Sequence, residues 1–232
     1  MSDSSADVAD HRVVDREEWI AERVALLTEE KAHQRERDAL LARRRALPWV
    51  RVDTEYRFDT DGGPKTLVDL FDGCSQLITY HFMYGPDWTE GCPSCSFWAD
   101  SVDGTLVHLE HRDTRYVHVS DAPLDELLRY RERMGWSIPW VSSGGTTFQE
   151  DFGLGGATTY NYAEQDQPNG ESPGLSVFAL RDGEVFHTYS TYARGLEAFN
   201  STYALLDMTA KGRDEGDLPW TMAWLRRHDD YD

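Results

Sequence analysis

Cysteine is scarce in this 232-residue chain, which carries only Cys74, Cys92 and Cys95. So few thiols, odd in number, argue against a disulfide scaffold. Met1 to His11 lacks the basic and apolar character of a secretory signal, so the reducing cytoplasm is the expected compartment. Basic residues are short as well: 23 Lys and Arg face 42 Asp and Glu, a formal charge of −19. That field repels phosphate backbones and anionic lipid, so no nucleic acid and no membrane is expected as a partner. Long apolar runs are missing, which excludes a transmembrane helix. Internal repeats and low-complexity tracts are missing too. Gly144-Gly145 and Gly153 to Gly156 lack the strand-turn-helix spacing of a phosphate loop, so a nucleotide cofactor is not expected. No nucleophile elbow is visible. Aromatic residues, by contrast, are plentiful: eight Trp, eleven Tyr and nine Phe. That is too many for a disordered acidic chain and enough for a sizeable core.

Along the chain, residues 1–14 read as a disordered tail and 15–47 as a helical arm. Asp15 and Glu18 have capping-box spacing, and Ile20, Val24 and Leu27 recur at helical steps before Leu40, Leu41 and Leu47 resume the stripe. The charged middle, Thr28 to Asp38, predicts a break or a solvent-bridging stretch. The plain reading of the arm is a solvated helix; the sharper one is a docking surface for homo-oligomers. Residues 48–210 alternate strand-like and helix-like segments. Trp49 to Phe58 predicts a strand, Thr66 to Phe71 a helical turn, and Leu77 to Tyr84 a strand buried on both faces. Arg115 to Val119 and Ile138 to Val141 add strands around a helix from Asp121 to Gly135. Phe148 to Gly153 reads as a helical turn and Tyr160 to Pro173 as a loop. Leu175 to Tyr189 is a hairpin about Asp182-Gly183, and Arg194 to Leu206 a final helix. Residues 211–232 read as an extension packed on the domain. The order implies an α/β fold, a mixed central sheet flanked by helices.

The chemistry concentrates at Cys92-Pro93-Ser94-Cys95, directly after the buried strand. A C-x-x-C at a helix N-terminus places a thiolate among unpaired amides and a partial positive charge, lowering the first thiol's pKa. The second sulfur is then close enough to resolve a mixed disulfide. Pro93 suits the first helical position, where its missing N–H costs nothing. The same two cysteines could form half of a metal site instead. His81, in the strand leading to the motif, and His187, in the hairpin, offer further ligands for Cu(I) or Zn(II), or a proton shuttle. The plain reading of both is a satisfied core histidine. His108, His111 and His118 read as surface residues, with His108 and His111 on opposite faces of an extended strand. Tyr80, Tyr84, Trp136 and Trp140 are more often core than groove, whereas Trp88 sits in a loop four residues before Cys92. Cys74 reads as a small buried hydrophobe.

Cys92-Pro93-Ser94-Cys95 in its setting resembles the thioredoxin superfamily, and Pro86-Asp87-Trp88-Thr89-Glu90-Gly91-Cys92 is similar to the peroxiredoxin active-site approach with one residue fewer. His81 to Pro86, Gly91 to Ser96, Arg133 to Trp136 and His187 to Ser190 resemble a bacterial family of thioredoxin-like proteins, a domain of unknown function labelled predicted dithiol-disulfide oxidoreductases. The resemblance spans Val13 to Tyr231. It implies a thioredoxin-like (peroxiredoxin-like) domain, an attacking Cys92, a resolving Cys95 and a Thr89 that bonds the thiolate. Tyr84 and Trp88, as aromatics near the dithiol, are candidate substrate contacts, and the resemblance adds Pro173. Thioredoxins face the dithiol with a cis-proline, and Pro173 is near that point, which raises a cis Ser172–Pro173 bond as an expectation. Glu171 to Leu175 lacks the arginine of peroxiredoxins, which argues against peroxide reduction. The expected function is a thiol-disulfide oxidoreductase that requires no cofactor and acts on a protein or small-molecule thiol or disulfide. The alternatives are a copper- or zinc-binding protein using Cys92, Cys95, His81 and His187, and a non-catalytic interaction module.

Overall fold

The computed structural model describes residues 11–154, 160 and 172–231. In chain order it contains α1 (Arg16–Arg45), β1 (Val50–Arg51), β2 (Arg57–Phe58), β3 (Lys65–Thr66), β4 (Gln76–His81), α2 (Pro93–Val102), α3 (Leu106–Glu110), β5 (Thr114–Ser120), α4 (Leu124–Arg133), β6 (Trp140–Ser142), α5 (Phe148–Asp151), β7 (Gly174–Arg181), β8 (Glu184–Tyr192) and α6 (Ser201–Leu206). The chain forms two compact units, Met1–Pro48 with Leu206–Asp214, and Trp49–Leu205 with Glu215–Asp232.

In the first unit, α1 starts where the sequence predicts. The Asp15 side chain accepts the Glu18 N–H at 2.9 Å, closing one of the free amides of the first turn. The helix is not broken in its middle: it runs unbroken for 30 residues and buries none of them. Arg23 with Glu30 and Gln34 with Asp38 link its charged stretch along the surface.

The second unit is built on a six-stranded sheet ordered β1-β8-β7-β4-β5-β6. Strands β4, β5 and β6 are parallel, while β7, β8 and β1 run antiparallel to their neighbours. This is the mixed sheet flanked by helices that the thioredoxin-like resemblance implies. The hairpin forms where expected because Asp182 (φ 55°) and Gly183 (φ 81°) both take the left-handed conformation of a two-residue turn.

Strand alternation sorts the core into two layers. Leu77, Val117, Val119, Val141 and Phe178 pack on one face with Phe148 and Phe152. Tyr80, Tyr116, His118 and Trp140 point to the other, where Phe82, Tyr130 and Trp136 complete an aromatic layer.

Several expectations are corrected. The predicted strand from Trp49 to Phe58 is two pieces: β1 extends the main sheet beside β8, whereas β2 pairs with β3 in a separate ribbon. The predicted final helix is interrupted at Asn200, whose side-chain oxygen caps α6 by accepting the Tyr203 N–H at 2.9 Å. His108 lies in α3 rather than in a strand, and His111 follows it. His118 is not a surface residue; it is fully buried in β5, because a strand covered on both faces leaves no exposed parity. No peptide bond among the described residues is cis, so Ser172–Pro173 is trans. The rest of the predicted loop before Pro173, Tyr160 apart, lies outside the described residues, as do the first ten residues of the predicted tail.

Candidate active site

Strand β4 ends at His81 and the chain turns through Gly85 to Trp88 before α2 begins. Cys92 is the N-cap of α2 and Pro93 its first helical residue. The backbone of one residue, Met83, grips both cysteines. The Cys92 N–H donates to the Met83 carbonyl at 3.1 Å, and the Met83 N–H donates to the Cys95 sulfur at 3.4 Å. Cys92 and Cys95 are 3.9 Å apart.

The two thiols differ electrostatically. Cys92, half-buried, is pushed down to about 7, first by the hydrogen bond from the Cys95 thiol; burial opposes this, and the Cys95 and Ser94 N–H groups and the Ser94 hydroxyl reinforce it. Cys95 is fully buried and pushed up, first by burial and then by the Cys92 sulfur. The Tyr80 hydroxyl from β4 also reaches the Cys95 sulfur. A low-pKa, accessible sulfur beside a buried, protonated one is the asymmetry that separates an attacking thiol from a resolving one.

The approach to Cys92 is tightly packed. A Cβ on Gly91 would lie 2.8 Å from the rings of both Phe82 and Tyr130. Gly91→Ala is therefore expected to destabilise the protein by about 2 kcal/mol, the usual scale of overpacking, and to slow Cys92 alkylation. Urea denaturation and iodoacetamide kinetics check this; unchanged values for both would show that the ring contacts yield freely.

Of the other residues singled out by sequence, Thr89 is exposed and is not among the groups that hold Cys92; that place is taken by Ser94. Tyr84 is buried, its hydroxyl donating to the Thr89 carbonyl at 3.3 Å, so it supports the loop rather than lining a groove. Trp88 is 37% exposed beside the motif. Pro173 is half-buried and its carbonyl accepts from the Tyr160 hydroxyl at 3.2 Å.

His81 follows Tyr80 in the strand and so points to the opposite face from Cys95. Its ring nitrogens meet the Gln149 amide oxygen at 2.7 Å and the Ser176 hydroxyl at 2.9 Å. Ser176 continues to Ser190 at 2.8 Å, which meets His187 at 2.7 Å. The two histidines thus join one polar chain on the far face, and the structure does not bring them to the dithiol. Among the described residues no group of three or more His, Cys, Asp or Glu could hold a metal ion.

Cys74 is half-buried rather than fully buried, beside Asp113 and Arg115, and is pushed up first by burial. It precedes β4 whereas the dithiol follows it, about 20 Å away at the rise of an extended strand. A Cys74–Cys92 bridge is out of reach without unfolding the strand.

Sequence reading missed Ser94, Ser96 and Tyr130 behind Cys92, and Arg227 on the Gly91 carbonyl. Ser94 and Ser96 sit in the motif's own helix, so helical spacing alone could have raised them. Nothing local marks a partner more than a hundred residues away.

The chain matches, over residues 8–231, the family described as bacterial protein of unknown function (DUF899). No curated protein matches it. Similar solved structures include peroxidoxin BcpB from Mycobacterium tuberculosis, with 13% identity, TM-score 0.49, and 67% of this chain and 92% of that one covered. Peroxiredoxin Q from Xanthomonas campestris has 15% identity and TM-score 0.47, covering 67% of this chain and 91% of that one.

Proposed function

The chain belongs to the DUF899 family of bacterial proteins, and within that family we propose that it is a dithiol-disulfide oxidoreductase working through Cys92 and Cys95. The observation that carries this reading is the asymmetric pair at the N-terminus of α2: an accessible thiol held low beside a buried thiol held high, both anchored on Met83.

In the proposed cycle the Cys92 thiolate attacks one sulfur of a substrate disulfide. A Cys92–substrate mixed disulfide forms and the first substrate thiolate leaves. Cys95 then gives up its proton and attacks the Cys92 sulfur, releasing the second substrate thiolate. Two electrons pass to the substrate, its two thiolates take up the Cys95 proton and the proton that Cys92 had released to solvent, and a Cys92–Cys95 disulfide remains. The reverse sequence oxidises a dithiol partner. Nothing in the cycle requires a cofactor. With a formal charge of −19 on the chain, neutral or basic thiol partners are favoured over acidic ones. No helix of the described residues is long and apolar enough to cross a membrane; we place the reaction in the cytoplasm, where a dithiol is kept ready as reductant.

The test equilibrates the protein in glutathione buffers of graded poise, quenches with an alkylating agent and maps the peptides. The expected result is a two-electron transition in which Cys92 and Cys95 become one reversible disulfide while Cys74 stays alkylatable. Free Cys92 and Cys95 across the whole range, or a bridge involving Cys74, overturns the reading.

A further inference from the structure

We infer that Arg227, in the C-terminal segment, is a positioning residue for the Cys92 thiolate, acting through Tyr130 and Ser96. The inference rests on reading Cys92 as the nucleophile and adds the device that keeps it poised.

The Arg227 guanidinium is largely buried and sits against the approach to the motif. Its Nη2 donates to the Gly91 carbonyl at 2.9 Å, and its Nε to the Tyr130 hydroxyl oxygen at 3.0 Å. Tyr130 meets the Ser96 hydroxyl at 2.9 Å, and Ser96 donates to the Cys92 carbonyl at 2.9 Å. The directions in this chain are forced. Arg227 can only donate, so the Tyr130 oxygen accepts from it. Ser96 spends its proton on Cys92, so the Tyr130 proton goes to Ser96. Guanidinium, phenol, hydroxyl and carbonyl therefore form one relay with every donor aimed at Cys92, and aligned donors polarise one another. Both carbonyls flanking the Cys92 N–H are held, one by Arg227 directly and one at the relay's end. That pins the peptide whose N–H donates to Met83 and thereby aims the sulfur at the Cys95 thiol and the Ser94 amide.

Net charge is not what reaches the thiol. Arg227 also pairs with Glu90 at 2.9 Å and Asp230 at 3.2 Å, and Arg133 pairs with Glu90, Asp229 and Asp230. Two cations against three carboxylates leave the clasp slightly acidic, so its field at a distance would not favour a second anion. The directed hydrogen bonds are the favourable part. The groups facing the Cys92 sulfur itself are Cys95 and Ser94, with the buried Tyr80 phenol from β4 within electrostatic reach.

The experiment measures the pH profile of Cys92 alkylation in the full-length protein with Cys74 replaced by serine, and compares three variants on that background. Tyr130→Phe keeps the ring that packs on Phe82, Tyr84 and Trp136 and removes only the relay hydroxyl. It is expected to slow alkylation at pH 6 about threefold, a midpoint raised by about half a pH unit. Arg227→Lys, which keeps the charge but not the fork, is expected to move the midpoint the same way. Arg133→Met opens the clasp and lifts a guanidinium off the Tyr130 ring, 5.7 Å away, but removes none of the relay's hydrogen bonds, and is expected to leave the midpoint in place even where it lowers thermal stability. Full rescue by lysine, or an equal shift in Arg133→Met, overturns the inference in favour of charge or general loosening. A parent midpoint at the ordinary thiol value overturns the reading of Cys92 together with the inference. A depressed parent midpoint that Tyr130→Phe leaves unmoved overturns the inference alone.

Discussion

Cys92→Ser is expected to abolish thiol exchange, lowering its rate by on the order of a thousandfold or more, as removal of a covalent nucleophile does. Cys95→Ser is expected to behave differently. The attacking thiol survives, so reaction with a substrate disulfide proceeds to the mixed disulfide and stops there. The product is a covalent adduct on Cys92, visible as an intact-mass increase by the substrate half. A third variant isolates the electrostatics. The Cys95 thiol is the largest cause of the low Cys92 value, and burial works against it. Cys95→Ala removes that donor and leaves the burial, so the Cys92 alkylation midpoint should rise from about 7 by about one pH unit. At pH 6 that is about a tenfold slower reaction, whereas the serine hydroxyl of Cys95→Ser retains part of the effect. The order of reactivity is the decisive reading. Faster alkylation of Cys95 than of Cys92 in the folded wild type, or exchange persisting in Cys92→Ser, would remove the basis for assigning the two roles.

Acid should unfold this protein well before its carboxylates are exhausted. His81 and His118 are both fully buried, and burial is the first cause that pushes each of them down to about 3 from an ordinary value near 6.5. In the unfolded chain both titrate normally, so below pH 6.5 the unfolded state binds more protons than the native one. Stability then falls as pH falls, beginning below 6.5 and continuing down to about 3. Each histidine contributes about 1.4 kcal/mol per pH unit in that window, so the pair removes about 5 kcal/mol between pH 6.5 and pH 4.5. That is comparable to the whole stability of many domains.

The two differ in why burial is tolerated. His81 is held by Gln149 and Ser176. Neither ring nitrogen of His118 has a hydrogen-bond partner, and its ring is enclosed by Tyr80, Phe82, Tyr116, Trp136 and Trp140. His118→Phe keeps an aromatic ring there and removes two unsatisfied polar atoms. It is expected to leave stability at pH 7 equal or higher by about 1 kcal/mol, and to halve the acid slope from about two protons to about one. Urea unfolding at pH 7, 6 and 5 measures both. A wild type whose midpoint does not move over that range, or an His118→Phe protein with the full slope, would show that these imidazoles are not held neutral.

The parts legible in the sequence are those whose cause is local. Asp15 caps α1 because a short acceptor three residues before a free amide needs no tertiary help. Asp182-Gly183 turns a hairpin because both residues tolerate positive φ. The dithiol sits at a helix N-terminus because a proline and two cysteines follow a buried strand, and Pro93 starts a helix without losing a bond. Even the continuous α1 follows from side chains seven or fewer residues apart, which make its charged middle a solvent-bridging stretch rather than a break.

Parity and distance, by contrast, come from the assembled sheet. Tyr80 and His81 are neighbours in one strand, and a shift of one residue in register would exchange them; the packing of α2 on the Tyr80 face sends the phenol to Cys95 and the imidazole to Gln149. Cover on both faces of β5 buries His118, which its polar type alone would have placed in solvent. Arg227 acts from 136 residues beyond Gly91, a separation over which sequence spacing carries no geometric information. The order of residues alone puts the thiols directly after a buried strand, with the first of them opening a helix. Three-dimensional packing determined which groups reach them, because strand parity and chain closure belong to the assembled sheet and not to any segment of it.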